Sequence, residues 1–131
     1  MEKKWVITGL ILIIIAIILG AFGAHGLNKV TDDESILAAF DTATKYQFFQ
    51  ALGFLVVPFI LSKFAIQGKA VFVLLLIGTI FFSGSIYGLT FSKVQNLESL
   101  TKVFGPVTPI GGLLMILGWT WLLIQVIRSR N

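Results

Sequence analysis

Four apolar runs, each near the length that crosses a bilayer, fix most of what this chain can become. A spanning helix needs about 20 mostly apolar residues. The runs extend from about Trp5 to Gly26, Tyr46 to Ser62, Ala70 to Phe91 and Pro109 to Ile127. Of 131 residues, 56% are hydrophobic and only 12% are charged. A soluble domain of this size cannot hide so much apolar surface, so lipid must cover it. The expected fold is all-α: one domain, residues 1–131, an integral membrane four-helix bundle with both termini cytoplasmic. The first run begins "MEKK" and ends near "AFGA", as a cleaved signal peptide does. Its apolar stretch is longer than a typical signal core, so it reads as a retained helix.

The helix ends are written in polar residues. "TDDES", 31–35, reads as a helix start, with Thr31 and Glu34 as a capping box and two aspartates at the positive end of the dipole. Ile36, Phe40 and Thr44 follow at four-residue spacing, so 33–45 is expected to be an amphipathic helical turn or two on the membrane surface, the alternative being a plain soluble loop helix. Pro58 should kink the second run. Gly105-Pro106 marks a loop, after which Thr108 and Pro109 open the fourth helix.

The ten basic residues divide six to four. Lys3, Lys4, Lys63, Lys69, Arg128 and Arg130 lie at one set of helix ends, and Lys29, Lys45, Lys93 and Lys102 at the other. The excess of basic residues marks the cytoplasmic side. With its charges placed so, the chain is not expected to bind nucleic acid, despite a net charge of +4.

At 1.5 Å per residue, Gly20, Gln50 and Ser83 each lie about 20 Å or slightly more from the inner boundary, and Tyr46 and Tyr87 about 26 Å. So "GAFGAHG", "YQFFQ", "SGSIYG" and "TPIGG" share the outer third of the bilayer. Two readings fit this layer. In the first it is packing. Ala16, Gly20 and Ala24, with Gly23 beside them, form a small-residue face on helix one; Gly84 and Gly88 do so on helix three, and Gly111 and Gly118 on helix four. Gly20 and Gly23 then meet helix three near Ser83 and Gly84. His25 finishes helix one, and Gly26 suits a left-handed position beyond it. In the second reading His25, Tyr46, Gln50, Ser83, Ser85 and Tyr87 line a pocket open to the outside, which takes a lipid-like or quinone-like molecule for binding or transport.

Catalysis has little to work with. One histidine and no cysteine cannot supply the three or four ligands of a zinc site. A haem would need a second axial ligand, or none, and could be shared between two chains. A Ser83 or Ser85 dyad with His25 would need an oxyanion hole and a wet cavity that nothing signals. There is no phosphate-binding loop and no intramembrane carboxylate or arginine for ion-coupled transport. The chain is expected to be no enzyme and to use no cofactor or metal. Its expected partners are membrane lipid and either a second copy of itself or a larger membrane complex.

The strings "LGAFGAHGL", "ATKYQFFQALGFL", "FFSGSIYGL" and "TPIGGLLMILGW", in that order and spacing, resemble a family of small membrane proteins called domain of unknown function 423, or uncharacterised protein family 0382. Transmembrane protein 256 of animals is similar to it. The resemblance covers about Leu10 to Trp121. It implies four membrane helices, in bacteria a place in the cytoplasmic membrane, and no activity to carry over. Members commonly read "YQxxHAL" in helix two, where this chain has Gln50. A catalytic or metal-binding histidine could not be exchanged for glutamine, whereas an interhelical hydrogen-bonding one could.

Overall fold

The computed structural model describes residues 2–130. Helix α1 (Glu2–His25) ends in a 3-10 turn, Leu27–Lys29. Helix α2 (Glu34–Lys63) returns across the molecule. The third crossing has two pieces, α3 (Lys69–Thr79) and α4 (Ser85–Val94), joined without a break by a π turn, Ile80–Gly84. Helix α5 (Glu98–Arg128) closes the bundle. All four crossings are long and apolar enough to span a membrane. At 1.5 Å per residue α2 and α5 are each about 45 Å long, so both project beyond a hydrocarbon core of about 30 Å.

The chain pairs α1 with α2, and the third crossing with α5. Helix α2 joins the two hairpins by packing on α4 and the π turn. The share of each apolar window that is buried follows from this: 44% in α2 and the third crossing, 22% in α5 and 11% in α1. Ile14, Ile17 and Ile18 of α1 stand fully toward the lipid side.

The core is densest at the end holding both termini. Trp5, with 0% of its surface exposed, packs on Phe54 and Phe72 at ring centroid distances of 5.3 and 4.9 Å. Val57, Leu61, Val71, Leu75 and Leu122 complete the cluster. Gly68 sits tightly against this cluster: a Cβ on it would displace the end of the Leu61 side chain and come within 3.3 Å of the Trp5 ring.

Several sequence expectations are corrected. Asp33, not Thr31, caps α2: its carboxylate accepts the Ser35 amide at 2.9 Å and the Ser35 hydroxyl at 2.7 Å. These bonds, the hydroxyl first, hold the Asp33 carboxyl below the usual carboxylate range. Residues 34–45 are not a separate surface helix. They are the first turns of α2, and Ile36, Phe40, Ala43 and Thr44 are buried against neighbouring helices. No loop interrupts 105–109, since α5 already begins at Glu98 and continues through both prolines. Contacts with α4 hold that segment helical. Ser92 and Thr101 share a 2.9 Å hydrogen bond, Ser85 and Thr108 one of 2.5 Å, and the Phe104 ring lies where a Cβ on Gly88 would be. Gly26 is right-handed (φ −108°), because the chain carries on into the 3-10 turn.

Candidate functional site

The polar layer read in the sequence is a set of links between helices. Gln47, 3% exposed, is at its centre. Its amide nitrogen donates to the Leu12 carbonyl of α1 at 2.9 Å, and its amide oxygen accepts the Tyr87 hydroxyl of α4 at 2.7 Å. One side chain of α2 therefore ties both flanking helices. Ser83 donates to the Ala43 carbonyl of α2 at 2.8 Å. Ser85 joins Thr108 of α5, and the Trp119 indole of α5 donates to the Gln50 amide oxygen at 3.1 Å. In hydrocarbon each such group needs a protein partner, since no water is there to replace one.

The six residues read as an outward-open pocket do not assemble into one. His25 is exposed in the last turn of α1, away from the other five. Ser83, Ser85 and Tyr87 are engaged with separate neighbours. Tyr46 and Gln50 line a common space, a groove of about 510 Å³ between α2 and α5 that also takes in Phe82 of the π turn, Gly112, Met115 and Trp119. Tyr46 and Ile116 on its rim are exposed, so it opens sideways, toward lipid. Gln47 is the site residue that sequence reasoning missed. Its signal was present, as the second amide in "YQFFQ" at the same depth.

The small residues also sort differently. Gly111 and Gly118 do pack closely. A Cβ on Gly111 would run into the backbone nitrogen of Phe82, and one on Gly118 would lie 2.8 Å from Leu75. Gly88 makes room for Phe104, and Ala16 is buried. Gly20, by contrast, has nothing within 4 Å of a built Cβ, Ala24 is exposed, and Gly84 meets only its own helix, at 3.9 Å. Gly23 accommodates the Phe40 ring of α2 rather than helix three. The reason is topological. Helix α2 lies between α1 and the third crossing, so the two glycine faces never meet. Close α1–α2 contact occurs instead at Gly9, against Leu55 and the Ala51 carbonyl.

A bundle of four apolar crossings tied by buried amide and hydroxyl links defines a small multi-pass membrane protein. The chain belongs to the family described as "Protein of unknown function (DUF423)", whose model matches residues 19–112. It is similar to a UPF0382 membrane protein of Staphylococcus epidermidis, 36% identical over 126 residues, which covers 96% of this chain and 97% of the relative. A UPF0382 membrane protein of Schizosaccharomyces pombe is 40% identical over 108 residues, covering 81% and 86%. The UPF0382 membrane protein YwdK of Bacillus subtilis is 32% identical over 128 residues, covering 96% and 98%. No solved structure matches.

Proposed function

We propose that this chain is a non-enzymatic accessory protein of the cytoplasmic membrane, with both termini inside, that packs against a second copy or a larger membrane complex. The observation that carries this reading is the use of the polar layer. Gln47, Ser83, Ser85 and Tyr87 are all engaged in holding helices together, and the one histidine stands apart from them at a helix end. A reactive centre needs a nucleophile, a base and an oxyanion site in mutual reach. Here the hydroxyl groups already have partners of their own. Helix α1 contributes a second point: it packs mainly on one neighbour and leaves a long apolar face free for another helix.

The test is crosslinking in native membranes, followed by purification in mild detergent and mass spectrometry of retained proteins. A second copy or a defined set of membrane proteins should be recovered through α1. A chain that remains monomeric and uncrosslinked at every α1 position tested would refute the reading.

A further inference from the structure

We propose that the groove between α2 and α5 is a binding site for a flat, uncharged, lipid-soluble molecule bearing a carbonyl, of the prenylated quinone class, with the Gln50 amide nitrogen as its hydrogen-bond donor. The orientation of that amide follows from its neighbour. The Trp119 indole can only donate, so the Gln50 oxygen faces it at 3.1 Å and the nitrogen is turned to the other side. That nitrogen donates to no protein acceptor, although Gln50 is 8% exposed. It is not sealed in either, since it is absent from the fully enclosed polar atoms that lack a partner. Gln50 lines the groove, and in the proposed site its unused N–H groups face the ligand there.

The rest of the groove suits a planar ring. Tyr46 and Phe82 form one wall, their centroids 5.0 Å apart, and Trp119 and Met115 form another. Tyr46 lies one turn farther along α2, its backbone about 6 Å from that of Gln50 along the axis, and also lines the groove. The groove runs down α5 from Gly112 to Thr120, about 12 Å, and its open side gives an isoprenoid tail access to the bilayer. Depth selects the headgroup. Gln50 lies about 20 Å from the inner end of its span, well inside the hydrocarbon, so a phosphate or other charged group would be costly to bring to it. A neutral ring carbonyl is not. The same chemistry occurs in the ester carbonyl of a neutral glycerolipid, so the experiment carries both.

Purified full-length protein in detergent is incubated with menaquinone-4 or, separately, with dioleoylglycerol, and the amount retained after gel filtration is measured. Menaquinone-4 should be retained at about one molecule per chain, and dioleoylglycerol should not. Gln50→Leu removes the donor and should weaken retention about tenfold, the loss of one hydrogen bond. Gly112→Leu fills the groove and should abolish it. A Cβ at Gly112 meets only Phe82, at an ordinary 3.7 Å, so the substitution starts without a backbone clash, and an unchanged gel-filtration profile is the control that the bundle is intact. Equal retention of menaquinone-4 by wild type and both variants would overturn the proposal. So would wild type that retains none, or dioleoylglycerol retained as well as the quinone. Neither result bears on which proteins α1 crosslinks.

Discussion

Replacing Gln47 by leucine removes both interhelical bonds of α2's central amide at once. Each bond contributes about 1 kcal/mol, and measured pairs between membrane helices average about 0.6 kcal/mol. The change also leaves the half-buried Tyr87 hydroxyl without its acceptor, which costs about 1 kcal/mol more. Gln47→Leu should therefore destabilise the protein by about 2 kcal/mol. Tyr87→Phe leaves only the Gln47 oxygen unpaired and should cost about 1 kcal/mol. The pair gives the sharper test. The double variant loses the same two bonds but leaves no hydroxyl unpaired, so it should cost about 1 rather than the additive 3 kcal/mol, a coupling of about 2 kcal/mol. Reversible unfolding in mixed micelles, with the SDS fraction as denaturant, measures all four corners of the cycle. Strict additivity, or a Gln47→Leu protein as stable as wild type, would mean that the link through Gln47 does not hold the helices.

Gly111→Val should prevent stable assembly, because its Cβ would meet the Phe82 backbone, which cannot yield as a side chain can; loss of the monodisperse species on gel filtration is the readout. Gly20→Leu should be neutral or raise the melting temperature, because there is open space at that position and glycine costs about 1 kcal/mol inside a helix. The Asp33 carboxyl, held low by Ser35, should titrate below its ordinary range in an NMR titration. Its cap contributes at and above the unfolded value and is lost as pH falls through the folded one; Asp33→Asn should flatten that acid limb. In intact cells Asn96→Cys should react with a membrane-impermeant thiol reagent and Ser129→Cys should not, as the six-to-four division of basic residues requires.

The crossings were legible because span length is a matter of counting apolar residues, and because lipid leaves the backbone no alternative to helix. The layering along each helix was legible for the same reason: rise per residue converts sequence position into depth. Rotation about each axis was not. Gly9 and Gly20 look alike in the sequence, yet one meets the Ala51 carbonyl and the other meets nothing. Which is which depends on where α2 lies, and that is set by contacts between residues far apart in the chain. Gln47 and Gln50 pose the same problem in polar form. One is a link between three helices, and the other, one turn away, has half its amide unused. The prolines of α5 misled for a different reason. Their local preference is to end a helix, but Thr101, Phe104 and Thr108 secure the segment against α4.

The π turn at Ile80–Gly84 gives this family a point where chain length and side-chain size should vary together. A π turn holds one residue more than the α-helix on either side of it needs. Deleting a residue there would leave α3 and α4 facing the same neighbours as before, whereas a deletion elsewhere in the crossing would turn every later side chain by about 100°. The backbone of the turn at Phe81 and Phe82, with the Gly78 carbonyl of α3, is also what leaves Gly111 no room for a Cβ. A relative that has lost the extra residue would have room for a methyl group at the position of Gly111 only where the Gly78 carbonyl also draws back, and one that keeps it would be held to glycine.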